Sequence, residues 1–500
     1  SQLTSIEECV SGDCLPKTKF RWNNKEASFG VNGKQWQSNL GGRGNWKNRP
    51  RHENVKNGKY SIWKWKNRPR HENGKYSMLI DMNGDGLLDR VLDRNPKTDQ
   101  QGFFVYLNTG DDGFDNGKQW QSDLGGPGNW KNRPTHHKGG EYSMLIDING
   151  DGLPDRVFDR NPKTDQVGLF AYLNTGNGFD SGKQWQSDLG GPGNWKNRPT
   201  HEAHEGGKYS MLIDINGDGL PDRVFDRNPK TDQVGLFVYL NTGDGFDNGK
   251  QWQSNIASYA NWKNRPSYGE HSMLVDINGD GLPDRVFDKN PKTDQVGLFA
   301  YLNTGNGFDS GKQWQSNLGG NENWKNRPTH ANGEYSMLID VNGDGLPDRV
   351  FDKNPSNDQP GFYVFLNTGD GFDNGKQWQS DLGGPGNWKN RPRHEGGEHS
   401  MLIDINGDGL PDRVFDINPE TDQKGLFAYL NTGNGFDSGK QWQSNLGGNE
   451  NWKNRPTHAN GEYSMLIDIN GDGLPDRVFD KNPKTDQPGF FVYSKPYKTP

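Results

Sequence analysis

One nine-residue stretch returns seven times in this chain, beginning at Asp81, Asp147, Asp214, Asp276, Asp340, Asp404 and Asp468. Its third copy reads Asp214-Ile215-Asn216-Gly217-Asp218-Gly219-Leu220-Pro221-Asp222. The intervals are 66, 67, 62, 64, 64 and 64 residues. A fixed period of this size means that one supersecondary unit is copied along the chain, and it overrides any domain count taken from length alone.

Each copy carries side-chain oxygens at positions one, three, five and nine. These are Asp81, Asn83, Asp85 and Asp89; Asp147, Asn149, Asp151 and Asp155; Asp214, Asn216, Asp218 and Asp222; Asp276, Asn278, Asp280 and Asp284. The last three sets are Asp340, Asn342, Asp344 and Asp348; Asp404, Asn406, Asp408 and Asp412; Asp468, Asn470, Asp472 and Asp476. Calcium takes six to eight oxygens at about 2.3–2.6 Å. A tight loop supplies them when alternate side chains turn inward and glycine permits the bend. The carbonyls of Leu87, Leu153, Leu220, Leu282, Leu346, Leu410 and Leu474, at position seven, are expected to complete the shells. The cofactor expected is therefore calcium, about seven ions, one for each of the seven loops.

The rest of a unit reads as strands. In the third, Ser210-Met211-Leu212-Ile213 suits an inner strand buried on both faces, and the acidic loop follows as a hairpin connection. A second strand is expected over residues 220–225, a third over 236–240 and a fourth over 250–254. Asn228-Pro229-Lys230-Thr231-Asp232 and Asn241-Thr242-Gly243-Asp244-Gly245 are turn chemistry between them. Helix signals are absent. Four short antiparallel strands repeated seven times predict an all-β, seven-bladed β-propeller.

The ends are offset in a way that fits closure. Gly33-Lys34-Gln35-Trp36-Gln37-Ser38 precedes the first acidic loop, and no such segment follows the last. The segment at 19–40 is thus predicted to supply the outer strand of the last blade, removing two exposed sheet edges. Residues 1–18 read as an N-terminal tail, 19–494 as one propeller and 495–500 as a C-terminal tail. An open solenoid is the competing arrangement. The tail holds both cysteines, Cys9 and Cys14, as a local disulfide or two free thiols.

Bulk composition agrees with many thin apolar layers rather than one large core. The chain has 29% hydrophobic residues, 69 glycines and 29 prolines, with a mean hydropathy of −1.09. No apolar run is long enough to span a membrane. No leader-like stretch stands at Ser1, which leaves a mature form or another route, and a secreted, extracellular location is expected. Seven divalent ions would take the formal charge from −7 to +7, favouring anionic partners.

The linkers between units share Trp-Lys-Asn-Arg-Pro. Its tryptophan and arginine are Trp46 and Arg49, Trp130 and Arg133, Trp195 and Arg198, Trp262 and Arg265, Trp324 and Arg327, Trp388 and Arg391, and Trp452 and Arg455. Indole rings stack on sugar C–H faces and guanidinium groups bond hydroxyls or acids. The same residues could instead pack blades together and pin the linker, and both readings stand at this point. The Gly-Lys-Gln-Trp-Gln-Ser tryptophans, such as Trp252, suit packing between neighbouring blades. One linker is altered, with Ile256-Ala257-Ser258-Tyr259-Ala260, and another contains a duplication in which Trp46–Asn54 reappears as Trp65–Asn73. The eleven histidines fall irregularly in the linkers, which argues against a zinc set. No catalytic constellation or phosphate loop is present, so a non-enzymatic binding protein is expected, without nucleic acid as partner.

The apolar strand, the Asp-X-Asn-Gly-Asp-Gly-X-X-Asp loop and the later Leu240-Asn241-Thr242-Gly243-Asp244-Gly245-Phe246 together resemble FG-GAP/VCBS calcium-loop repeats. Such repeats build the seven-bladed propellers of integrin α-subunits and of some fungal lectins. The Ile-Asn-Gly-Asp-Gly-Leu-Pro-Asp-Arg-Val wording is also similar to stretches of bacterial toxin-complex B components. The resemblance spans residues 19–494 and implies a propeller with structural calcium in the hairpin between the first two strands of each blade. Leu88 stands where the other loops have proline, which leaves the ligand positions intact. The functions implied are a multivalent lectin for glycans or glycoproteins, an adhesion module binding protein, or the shell of a secreted toxin assembly.

Overall fold

A computed structural model describes residues 5–6, 9–10, 13–14, 18–19, 29–30, 33–40, 46–50, 76–110, 113–125, 127–136, 142–190, 192–201, 209–256, 261–319, 323–383, 385–447 and 451–494. Seven four-stranded antiparallel sheets follow one another along the chain. The third is representative, with strands Ser210–Ile213, Asp222–Arg227, Val234–Tyr239 and Lys250–Ser254 paired in sequence order. The second strand starts two residues later than the sequence suggests. Leu220 and Pro221 stay in the loop, and pairing begins where Asp222 meets Ile213.

The first strand is less buried than its apolar run predicts. Only Ser210 of Ser210–Ile213 is buried, whereas five of the six residues of both the second and third strands are. An edge strand has a sheet neighbour on one side only, so the middle strands take the core. That core is two small layers, one on each face of the blade; Phe225, Phe237 and Tyr239 of the third blade pack with Leu189 on one face. The other face holds Ile215, Val224, Leu236, Val238 and Trp252, with Phe308 of the following blade packed against it. Trp252 lies edge-on to Phe308, with ring centroids 6.2 Å apart, so the outer-strand tryptophan fills the wedge between blades.

Contacts between blades run unbroken around a ring. The position-seven leucine of each acidic loop packs on the position-four glycine of the preceding loop. A Cβ added at Gly150 would fall 2.7 Å from Leu220 Cδ2, and one at Gly471, in the last blade, 2.7 Å from Leu87 Cδ2 in the first. A repeated asparagine reaches across in the same sense. Asn241 donates to the Ile148 carbonyl of the preceding blade at 2.8 Å. Asn108 of the first blade donates to the Ile469 carbonyl of the last at 2.7 Å.

Lys34–Ser38 supplies the fourth strand of the last blade and pairs antiparallel with Pro488–Tyr493. Just before it, Phe29 is buried and lies edge-on to Trp442 of the sixth blade at 6.4 Å. Phe179 and Phe246 hold that relation to Trp120 and Trp185. The Leu-Asn-Thr-Gly stretch of the other blades is not repeated at Tyr493-Ser494-Lys495, and Phe29 packs on Trp442 from the N-terminal segment. In the tail, Cys9–Val10 pairs with Asp13–Cys14, Cys9 opposite Cys14. The cysteine side chains, and with them the disulfide expectation, lie outside the described residues, as does the duplicated segment within 51–75.

The linkers contain short 3-10 turns that no sequence signal announced, such as Pro192–Asn197 and Asn261–Asn264. A first strand ends at the acidic loop and a fourth strand ends at the linker. In an antiparallel sheet of four strands, this puts acidic loops and linkers at opposite ends of the blade.

Candidate functional site

The acidic loop is built around its first aspartate. Asp214 Oδ1 accepts from Gly217 N at 2.7 Å and Oδ2 from Gly219 N at 2.8 Å. Gly217 and Gly219 have φ of 77° and 87°, the left-handed region that glycine enters without strain. Asn216 Nδ2 donates to Asp218 Oδ2 at 2.8 Å, and Asp218 Oδ1 accepts from Leu220 N at 2.9 Å. Asp222 is fully buried and accepts from Ile215 N at 3.1 Å and Asn241 N at 2.7 Å. It therefore ties the start of the acidic loop to the turn after the third strand.

Burial raises the Asp222 carboxyl to about 6, against the lowering effect of its two amide partners, and the charges of Asp218 and Asp214 add to the rise. Asp89, Asp155, Asp284 and Asp348 behave alike, while Asp412 and Asp476 reach about 7. No lysine or arginine among the described residues pairs with any loop carboxylate, although ion pairs are plentiful elsewhere. Three carboxylates and an amide oxygen around each turn, without a counter-charge, are the chemistry of a hard-cation site. The three carboxylates of one loop stand too far apart to bring one oxygen each within 4.8 Å of one another, so a cation would draw them inward.

The linker gives each residue of Trp-Lys-Asn-Arg-Pro a separate contact. Trp195 is partly exposed and stacks on His201 at 5.2 Å, and His201 stacks on Tyr209 at 5.1 Å. Trp130, Trp324 and Trp452 build the same stack with His136 and Tyr142, His330 and Tyr335, and His458 and Tyr463. Trp262 packs with Tyr268 and His271, and Trp388 with His394, which meets His399. The Trp46 side chain and residues 257–260 of the altered linker lie outside the described residues.

Lys196 is buried and donates to the Pro229 carbonyl at 2.5 Å, so it ties the linker to the turn after the second strand. Asn197 is also buried and accepts from Leu189 N at 3.0 Å. Arg198 lies over the Tyr142 ring of the preceding blade at 4.4 Å and donates to its hydroxyl at 3.0 Å. Arg133, Arg265 and Arg391 repeat this on Tyr76, Tyr209 and Tyr335. Arg327 and Arg455 follow a blade with histidine in place of that tyrosine, and they pair with Glu270 and Glu398 instead. Arg49 joins the ends of the ring, over Tyr463 at 4.2 Å and 3.1 Å from Glu462. The candidate arginines thus fasten neighbouring blades, and the tryptophan, histidine, tyrosine and arginine of the array are all partly exposed.

Sequence reasoning missed two sets. The arginine after each position-nine aspartate, Arg223 in the third blade, is almost wholly buried. It donates to the linker carbonyls of Lys196 and Arg198 at 2.8 and 3.0 Å and to Gln186 of the preceding outer strand. It has no carboxylate partner among the described residues, and burial lowers it to about 9. The second set is the asparagine of Leu-Asn-Thr-Gly, which looked like turn chemistry and is an inter-blade tie. The arginine recurs in all seven repeats and the asparagine in six, which was the available signal, but duplication alone also preserves residues.

Ring, loops and linkers define a seven-bladed β-propeller with repeated acidic loops at one end of its blades and aromatic, arginine-tied linkers at the other. No protein-family model matches the chain. It is similar in fold to an Agrocybe aegerita lectin described as specifically recognising non-reducing terminal N-acetylglucosamine, with 21% identity and a TM-score of 0.51 over 74% of this chain and 80% of that one. A weaker likeness is to the Photorhabdus luminescens Tc holotoxin pore, 16% identical with a TM-score of 0.40, covering 83% of this chain and 16% of that one. By sequence, it matches T-cell immunomodulatory protein homologues of Plasmodium yoelii yoelii and Plasmodium falciparum. The first is 29% identical over 149 residues, 28% of this chain and 21% of its own length. The second is 30% identical over 151 residues, 29% of this chain and 19% of its own length. The chain therefore spans about a fifth of these relatives. Among the described residues, no helix is long and apolar enough to cross a membrane.

Proposed function

We propose that this protein is a calcium-stabilised, multivalent, non-enzymatic lectin acting outside the cell. The observation that carries the reading is the repeated linker array, in which a partly exposed tryptophan stands beside histidine, tyrosine and arginine at one blade junction after another. Indole and tyrosine faces suit the apolar side of a pyranose, and the polar rims suit its hydroxyls. Equivalent weak sites on one rigid ring reach useful avidity against a surface bearing many copies of one sugar. The fold likeness to a lectin supports this reading. The calcium part rests on carboxylate clusters that have no counter-charge among the described residues.

A glycan array probed with labelled protein in calcium tests it. Binding that is lost in EDTA, and also lost when Trp195, Trp324 and Trp452 are changed to alanine together, is expected. Failure to bind any glycan with the protein folded and calcium-loaded would overturn the lectin reading.

A further inference from the structure

The sixth blade carries a side-chain cluster that its neighbours lack. In the fifth and seventh blades the linker histidine is followed by Ala331 or Ala459, and the ring before the first strand is Tyr335 or Tyr463. In the sixth these places hold Glu395 and His399, after His394. The His394 and His399 rings stand 5.1 Å apart. The Glu395 carboxylate lies 3.8 Å from His394 Nε2 and 3.5 Å from His399 Nε2. One ligand atom from each of the three falls within 4.8 Å of the others, the one such trio of His, Cys, Asp or Glu among the described residues.

We propose that His394, Glu395 and His399 bind one divalent transition-metal ion of the zinc type, with a fourth position open to water or an external ligand. Nitrogen and oxygen ligands about 2.0–2.1 Å from tetrahedral zinc stand about 3.3 Å from one another. The Glu395 contacts are 3.8 Å from Oε1 to His394 and 3.5 Å from Oε2 to His399, and the three ligand atoms lie within 4.8 Å of one another, so the set must draw inward to hold the ion.

The surroundings fit a metal better than a bare ion pair. His399 Nδ1 lies 2.9 Å from Asp416 Oδ2, a buried carboxylate. A carboxylate on the far nitrogen holds the proton at Nδ1 and turns the Nε2 lone pair toward the ion. Trp388 covers one side of His394 at 5.2 Å. The facing charges are Arg391, Arg455, Glu334, Glu398, Glu395 and Asp416, so carboxylates outnumber guanidinium groups. Arg391 Nη1 stands 3.1 Å from His394 Nδ1. Metal binding moves the His394 proton from Nε2 to Nδ1, and Arg391 turns to the Tyr335 hydroxyl, already 3.2 Å away, and to Glu334, at 3.6 Å. No proton is lost from His394. Sequence spacing missed the trio because it treated the histidines as one set, whereas the cluster is local to a single linker.

The test is a titration of the full chain, stripped of metal and saturated with calcium, with zinc and with cobalt(II). One zinc per chain is expected, together with a tetrahedral cobalt visible band that zinc displaces. Glu395→Ala and His399→Tyr restore residues present in neighbouring blades, so the fold accepts them. Each should weaken zinc at least tenfold, and Asp416→Asn should weaken it about tenfold through His399. Melting temperature without zinc should be unchanged in the first two variants. Zinc uptake equal in the wild type and the Glu395→Ala/His399→Tyr double variant would overturn the proposal, and so would a six-coordinate cobalt spectrum of the kind oxygen-only loops give.

Discussion

Closure of the ring can be tested with one repeated residue. Asn241 makes three side-chain hydrogen bonds: to the Ile148 carbonyl at 2.8 Å, to the Pro221 carbonyl at 3.1 Å, and from Gly243 N at 3.0 Å. Asn108 makes the same three, to Ile469 O at 2.7 Å, to Leu88 O at 3.1 Å, and from Gly110 N at 2.9 Å. Both side chains are buried, at 4% exposure. A net ~1 kcal/mol per hydrogen bond, with a further penalty for a carbonyl left unpaired, makes either asparagine-to-alanine change cost about 3–5 kcal/mol. An unfolding entropy of about 2.1 cal/mol/K per residue over ~400 ordered residues converts this to a fall of about 4–6 °C in melting temperature. The two positions differ in one respect. Asn241 joins blades that are consecutive in sequence, and Asn108 joins the first blade to the last. Calorimetry of Asn108→Ala and Asn241→Ala should therefore give falls of similar size. If Asn108→Ala melted within about 1 °C of the wild type while Asn241→Ala fell as calculated, the ring would be open in solution.

Two further perturbations probe the ends and the loops. Phe29→Ala removes a buried ring from against Trp442 and should cost about 3 kcal/mol, with faster proteolysis of the N-terminal segment; unchanged melting and proteolysis would show that the segment does not seat there. The pH response should change sign with calcium. In the chelated protein, Asp222 and its equivalents have carboxyls raised to about 6, or about 7 in the sixth and seventh blades, above the unfolded value near 3.8. Their contribution is fully present below the unfolded value and lost as pH rises through 6–7, so the chelated protein should melt higher at pH 5.5 than at pH 8. Calcium needs the ionised carboxylates, so the loaded protein should show the opposite order in the same thermal scans, and matching trends in both would refute the argument.

The seven-bladed architecture was legible because period, strand length and turn chemistry all agreed. The strand over 250–254 matches the observed Lys250–Ser254 residue for residue. The first strand's modest burial was not legible, since an apolar run reports composition and not which side of a sheet lacks a neighbour. The linker roles were half legible. Trp-Lys-Asn-Arg-Pro was visibly repeated, but whether Arg198 meets a ligand or Tyr142 depends on a tyrosine 56 residues away in another blade. Arg223 escaped notice because a charged residue inside a strand reads as solvent-facing until the linker carbonyls that receive it are in place. The His394, Glu395 and His399 grouping needed the fold of a single turn, which spacing alone does not specify.

We propose that the seven acidic loops hold the ring through calcium. Native mass spectrometry of the chelator-stripped protein, reloaded with calcium alone, counts the ions directly. Seven per chain are expected, one for each Asp-X-Asn-Gly-Asp-Gly loop. A chain that stays folded and takes up none at millimolar calcium would contradict it.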